Sequence, residues 1–227
     1  MTHLGWDSEF FGVTVGRADV DEDSVKRAVE EAVEQGVECL YLFVRDARPP
    51  ALAYALRSGG RLVDVRVELD LHTSPTLPDG IRRADRRECL ELLPLARSLA
   101  DESRFSADPR FAADAVRAMY DIWLGRCFDD GIVVVPDRGL GGFVGVRPIE
   151  EGISVDLVYV DARSRGQGLG ARLLSGAVAI SGAARARIAT QAWNITAQRL
   201  YQGVGFRTAS IQAIVHLWLD EVPSPPH

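Results

Sequence analysis

The chain has one lysine, Lys26, three cysteines and four histidines in 227 residues, and each scarcity removes a class of function. A Walker-type ATP site needs a Gly-Lys-Ser/Thr step closing a glycine loop, and Lys26 is far from any such loop. Cys39, Cys89 and Cys127 are odd in number, widely spaced and set among apolar neighbours, which fits buried reduced thiols and neither a disulfide framework nor a zinc site. His3, His72, His216 and His227 form no ligand cluster, so no catalytic transition metal is expected. No apolar run approaches the ~18 residues that cross a bilayer, and the opening Met-Thr-His-Leu-Gly-Trp lacks the basic-then-apolar layout of a secretion signal. A cytoplasmic protein without membrane attachment is expected. The net charge of −6 argues against non-specific nucleic-acid binding.

Acidic residues are missing from one long stretch. From position 162 to 219 there is no Asp or Glu but seven arginines: Arg163, Arg165, Arg172, Arg185, Arg187, Arg199 and Arg207. That stretch carries +7, so the remainder carries −13. It contains Val158-Tyr-Val-Asp-Ala-Arg-Ser-Arg-Gly-Gln-Gly-Leu-Gly-Ala-Arg-Leu-Leu174, an apolar strand that breaks into a glycine-rich turn and restarts as a helix. Gly166, Gly168 and Gly170 let backbone approach a ligand while N–H groups at the helix start face an anion. A multiply phosphorylated small molecule suits this basic module. Arg172, Arg185 and Arg199 equally suit solvated helix faces.

Hydrophobic periodicity places strands at 10–17, 39–45, 61–72, 81–84, 132–135, 142–147, 153–160, 188–192 and 206–219. Helices are predicted at 23–35, 50–58 and 87–100, after Pro109 as N1 residue, from the glycine loop to about 181, and at 194–203. The turn-rich stretch 73–80 divides a domain at 1–77 from a domain at 78–221, with a flexible tail at 222–227. A faint repeat links Ala53-Tyr-Ala-Leu-Arg-Ser-Gly-Gly-Arg61 to Arg199-Leu-Tyr-Gln-Gly-Val-Gly-Phe-Arg207, each a helix end, a glycine stop and a long strand. The first copy has no glycine cradle, so one active site is expected, in the C-terminal part. The long last strand offers an exposed edge for homodimer pairing.

Gly166-x-Gly168-x-x-Ala171 fits a dinucleotide fingerprint formally. That fold wants a carboxylate ~20 residues further on for the ribose, and none precedes Asp220; the antiparallel meander upstream is also wrong for it. Arg165-x-x-Gly168-x-Gly170 after strand 158–160, followed by Asn194-x-x-Ala197-x-x-x-Tyr201-x-x-x-Gly205-Phe206, resembles the Gcn5-related N-acetyltransferases (GNAT superfamily) over roughly 80–219. The resemblance implies an α/β (α+β) fold with a mixed, largely antiparallel sheet flanked by helices, preceded by a truncated GNAT-like domain. It implies acetyl-CoA as donor co-substrate, without metal. The CoA pyrophosphate would take N–H groups from Arg165, Gly166, Gln167, Gly168, Leu169, Gly170 and Ala171. Backbone at Val158, Tyr159 and Val160 would pair with the pantetheine arm and face the oxyanion, with Asn194 and Ala197 alongside that arm. Asn194 also suits a helix N-cap. Tyr201 would protonate the departing sulfur, a phenol and a thiol having comparable pKa values; a tyrosine packed against the glycine turn is the plainer reading. By two-residue alternation Asp156 shares a strand face with Val158 and Val160, making it the best-placed general base, with His216 second. A surface Asp and a satisfied core His are the alternatives.

The acceptor is written elsewhere in the chain. Trp6-Asp-Ser-Glu-Phe-Phe-Gly-Val13, Ser103-Arg-Phe-Ser-Ala-Asp-Pro-Arg-Phe111 with Tyr120 and Trp123, and Ile188-Ala-Thr-Gln-Ala-Trp-Asn194 resemble TDP-fucosamine acetyltransferases. This implies transfer to the 4-amino group of a TDP-linked 4-amino-4,6-dideoxy sugar. Arg104 and Arg110 with Phe105 and Phe111 would clamp the nucleotide diphosphate and stack the base, unless the aromatics are core and the arginines solvated. Another small amine (aminoglycoside, polyamine, amino acid) and a non-catalytic acyl-CoA sensor are the competing readings.

Overall fold

The structure is a computed structural model that describes residues 1–73 and 75–219. Along the chain come β1 (Thr2–His3), α1 (Gly5–Phe11), β2 (Val15–Val20), α2 (Val25–Glu34), β3 (Cys39–Arg45), α3 (Pro49–Arg57), β4 (Arg61–Leu71) and β5 (Ile81–Arg83). Then follow α4 (Cys89–Ser98), α5 (Ala113–Asp129), β6 (Ile132–Pro136), β7 (Gly142–Ile149), β8 (Gly152–Val160), α6 (Leu169–Ser181), β9 (Ala186–Gln191), α7 (Ile195–Val204) and β10 (Arg207–Trp218). The expected tail at 222–227 lies outside the described residues.

All ten strands join one sheet, in the order β1-β2-β3-β10-β4-β9-β8-β7-β6-β5. Its pairs are antiparallel except β2 with β3 and β8 with β9. The long strands cross over: β10 lies between β3 and β4, while β4 lies between β10 and β9. This corrects the expectation of an exposed last strand for most of its length, because β10 pairs with β4 over Arg207–His216 and with β3 over Gln212–Trp218, leaving Arg207 to Ile211 unpaired on the β3 side. The faint repeat becomes a topological one, since β2-α2-β3-α3-β4 and β8-α6-β9-α7-β10 run through the same sequence of pairings.

Side-chain alternation divides the interior by sheet face. On one face, Val67, Leu69, Ile153, Val155 and Ile188 pack under α6 and α7, while Leu40, Leu42, Ala213 and Val215 pack under α2 and α3. The opposite face carries α1, α4, α5 and the 103–111 loop over Tyr41, Phe143, Leu157 and Ile214. Helix α6 shows why its sequence is held there. Leu173, Leu174, Ala177 and Val178 recur at helical spacing and are fully buried, and burial of each of the larger three contributes roughly 2 kcal/mol.

Three local expectations need correction. The strand placed at 10–17 is instead helix α1, closed by Gly12 at φ 69°, and strand β2. Trp6 and Phe10 sit one helical turn apart and stack at 5.0 Å against the core. Helix α5 starts at Ala113 and not after Pro109, because Asp108 turns the chain: its carboxylate accepts the Arg110 N–H at 3.1 Å and its carbonyl the Phe111 N–H at 3.1 Å. Cys39 and Cys127 are buried and in no disulfide among the described residues, whereas Cys89 is half-buried. No helix among the described residues is long and apolar enough to cross a membrane.

Candidate active site

Strands β8 and β9 pair only from Ile153 to Val155, opposite Ala186 to Ile188. Beyond Val155 the two diverge, leaving the β9-facing backbone of Val158, Tyr159 and Val160 without a neighbouring strand, although β7 pairs with them on the other side. Asp161 then caps a 3-10 turn by accepting the Arg163 N–H at 2.9 Å. Gly166 and Gly168 take φ 73° and 75°, the left-handed region that only glycine enters without strain. The N–H groups of Gly166, Gln167, Gly168, Leu169, Gly170 and Ala171 have no partner in the described protein. They converge at the N-terminus of α6, which carries no side-chain cap, and so form an anion cradle.

Gly170 matters for a different reason. A Cβ there would meet Leu200 at 3.0 Å and Val160 at 3.4 Å, so its absence lets α6 approach α7 and the end of β8. Arg165 donates from Nε to the Val160 carbonyl at 3.0 Å, and Gln167 from Nε2 to the Arg163 carbonyl at 2.9 Å; both stiffen the loop from behind. Of the seven arginines, Arg185 pairs with Glu151, Arg187 with Asp70, and Arg172 donates to the Asp79 carbonyl. The side chains of Arg163, Arg199 and Arg207 make no such contact among the described residues. Gly168→Ala is expected to cost about 1–2 kcal/mol of stability through its φ, and to weaken binding of a phosphorylated ligand more than tenfold; calorimetry on the variant checks both.

Asn194 caps α7, its Oδ1 accepting the Ala197 N–H at 3.0 Å, and its amide NH2 remains unengaged. Tyr201 lies on the inner face of α7, 5 % exposed, packed with Phe206 and the β4 valine and leucines. Burial raises its phenol well above the usual value. Its hydroxyl has no hydrogen-bond partner yet is not sealed in.

Asp156 does not lie where alternation placed it. The β7–β8 register slips between Gly145 opposite Leu157 and Val146 opposite Val155, so Asp156 is the extra residue of a β-bulge. Ile153 and Val155 face α6 and α7, Leu157 faces α5, and Val158 and Val160 face α6 again. Asp156 is turned to the face opposite Val158 and Val160. There its carboxylate accepts from Ser154 Oγ at 2.6 Å and is ion-paired to Arg147 Nε.

On that opposite face a cavity of about 330 Å³ opens beside the divergent strands, lined by Asp156, Asp64, Arg66, Arg104, Arg187 and Tyr120 among others. Asp64 and Arg66 were not singled out from the sequence. Polar residues at every second position of β4 read as a solvent face, and only the insertion of β4 beside β9 turns them inward. Asp64 is 8 % exposed, its Oδ1 has no partner, and burial raises its carboxyl to about 6 against the opposing charges of Arg66 and Arg104. The Nε of Arg66 is also buried without a partner.

The 103–111 loop delivers only part of its expected set. Phe105 and Phe111, 3 % and 6 % exposed, pack into the core with Phe11, Tyr41 and His216, so they offer no free face for a nucleotide base. Arg104 reaches the cavity, whereas Arg110 lies over Trp218 at 4.0 Å and is not part of its lining. His216 is fully buried. Its Nδ1 and Nε2 sit 2.8 Å from Asp108 Oδ2 and Arg104 Nη1, and burial lowers its pKa to about 4. Because a guanidinium only donates, Nε2 accepts and the proton is on Nδ1. This satisfied core histidine cannot take a proton from a substrate.

The strand divergence, the open N–H cradle and the paired helices α6 and α7 fall within residues 125–208, which match the family model described as acetyltransferase (GNAT) domain. This part of the chain is similar to GNAT acetyltransferase domains, which supports an acyltransferase. Among solved structures, its fold is similar to a functionally unknown conserved protein from Staphylococcus epidermidis ATCC 12228, at TM-score 0.64 and 13% identity over 91% of this chain and 84% of that one. A GCN5-related N-acetyltransferase from Kribbella flavida gives 0.54 and 20% over 91% and 81%. A protein from Novosphingobium aromaticivorans DSM 12444 ascribed to the GNAT family gives 0.50 and 23% over 78% and 73%. The fold of this chain is thus similar to theirs, including the stretch before residue 125.

Proposed function

We propose that the protein moves an acetyl group from acetyl-CoA to a primary amine of a small molecule. The observation that carries this is the placing of two sites on opposite faces of one sheet, the N–H cradle with Tyr201 on one side and the acidic and basic cavity on the other, where β8 and β9 part. The cradle fits a pyrophosphate, since it offers consecutive unpaired N–H groups that no protein side chain fills. Acetyl-CoA supplies an activated thioester when bound.

The chain's own residues then divide the work. Gly166 to Ala171 hold phosphate, with Arg165 adding charge. Backbone at Val158 to Val160 pairs with the pantetheine arm and stabilises the oxyanion, and Asn194 donates to that arm through its free NH2. The phenol of Tyr201 is neutral at every physiological pH, so it is always able to donate to the leaving sulfur. Its raised pKa makes full transfer uphill, and the hydrogen bond to the developing thiolate is its larger contribution. On the acceptor side, the Asp156 carboxylate is already engaged by Arg147 and Ser154. Asp64 combines a raised pKa with an unspent oxygen, and takes the proton from the incoming ammonium. The sequence resemblance to TDP-amino-sugar acetyltransferases keeps support from Arg104, Arg66 and Arg187 at the cavity, which could engage a diphosphate; the buried Phe105 and Phe111 do not add to it.

The test is thiol release from acetyl-CoA by the purified protein with a panel of amines. Turnover with at least one primary amine is expected. Tight acetyl-CoA binding without thiol release from any of them would make the protein a sensor and sink the reading.

A further inference from the structure

Arg104 is an unusual guanidinium. Its Cζ lies 4.3 Å from the ring centre of Tyr41 and 4.1 Å from that of Phe105, so two aromatic rings hold its plane. One N–H donates to the neutral His216, which is itself fixed by Nδ1–H to the buried Asp108, whose Oδ2 also accepts from Trp218 Nε1 at 3.0 Å. Among the described residues it has no carboxylate within ion-pair distance, unlike Arg147 and Arg187 in the same cavity. Four of its five donors are therefore unspent, on a group that is rigid and positively charged.

The same cavity holds the unpartnered Nε of Arg66 and the unpartnered Oδ1 of Asp64, on a side chain more than nine-tenths buried. Buried polar groups left in this state cost roughly 1–3 kcal/mol each unless a ligand completes them. What completes this set is a molecule that accepts from guanidinium and donates to carboxylate. At about 330 Å³ the cavity is at the small end of ligand sites.

We infer that the acceptor is a compact zwitterion, an amine carrying an oxyanion (carboxylate or phosphonate) close to its nitrogen, with Arg104 as oxyanion receptor and Asp64 facing the amine. This rests on reading the cavity as the acceptor site. Asp108 and His216 are positioning residues: they orient the Arg104 fork and touch no substrate.

The experiment measures kcat/KM by thiol release for glycine, β-alanine and aminomethylphosphonate against glycinamide and β-alaninamide, with TDP-4-amino-4,6-dideoxygalactose as a further arm. In the wild type the acids are expected to exceed their amides at least tenfold, through KM. In Arg104→Gln this ratio should fall toward one, a loss on the order of 10–100-fold matching one charge-assisted fork. The carboxylate and phosphonate arms tell the two oxyanions apart. Equal use of acids and amides by the wild type, an unchanged ratio in Arg104→Gln, or turnover of the nucleotide sugar alone would overturn the inference. If no amine is turned over, the proposed acetyl transfer fails, and calorimetric binding of β-alanine to wild type and Arg104→Gln decides the receptor by itself: binding lost in the variant upholds it, no binding to the wild type ends it. Should Arg104→Gln fail to fold, the wild-type acid-to-amide ratio still decides.

Discussion

Asp64→Asn is expected to make the protein more stable at pH 7, by roughly 1–3 kcal/mol, while lowering its turnover by about 10²–10⁴-fold. Both effects come from one cause. Burial raises the Asp64 carboxyl to about 6, above the ordinary 3.8, with Arg66 and Arg104 only partly offsetting it. The folded protein therefore binds this proton more tightly than the unfolded chain, and the associated stability, full below 3.8, is lost as pH rises through 6. Asparagine carries no such loss and cannot accept a proton. His216 has the opposite sign. Its folded value of about 4 lies below the ordinary 6.5, so its contribution is complete above 6.5 and is lost as pH falls toward 4. In the wild type the two slopes oppose each other between pH 4 and 6. In Asp64→Asn only that of His216 remains, and acid destabilisation should steepen. Urea unfolding at pH 5 and pH 7, with turnover at both, separates the outcomes: a variant that keeps wild-type turnover would remove Asp64 from proton transfer and return Asp156 to that role.

Tyr201→Phe is expected to cut turnover about 10²–10³-fold with less than a threefold change in acetyl-CoA affinity. The phenyl ring keeps its place beside Phe206 and the β4 side chains, and the lost hydroxyl leaves no protein group unpaired because it has no partner in the protein. Stability should move by less than about 1 kcal/mol. Pre-steady-state acetyl transfer, compared with calorimetric binding of acetyl-CoA, is the decisive pair of measurements, and unchanged transfer would reduce Tyr201 to a packing residue. Because burial pushes its phenol upward, the wild-type rate should show no Tyr201 limb below about pH 10; the rise through about pH 6 should belong to Asp64.

The glycine cradle was legible because its signals are local. Gly166, Gly168 and Gly170 are dictated by backbone conformation and by the closeness of Leu200, and the Asn194 cap needs only the residue three places on. The cavity on the opposite face was not. Alternation placed Asp156 beside Val158, but a single inserted residue at Gly145/Val146 turned it to the other face, and a bulge leaves no clear mark in residue type. Phe105 and Phe111 read as ligand contacts or as core with equal ease, and the choice depended on what packed beneath them, namely Tyr41 and His216 from strands far away in sequence.

By itself the sequence determined most of the elements, the glycine cradle, the charge of the arginine module and the repeat of helix, glycine and long strand, since each depends on neighbours within a few turns of chain. Only the tertiary structure decided which long strand lies beside which. The crossing of β4 and β10 brings Asp64 and Arg66 to the divergence of β8 and β9, and brings His216 beneath Arg104. Such pairings join residues more than a hundred positions apart, and their energy lies in contacts that no local pattern records.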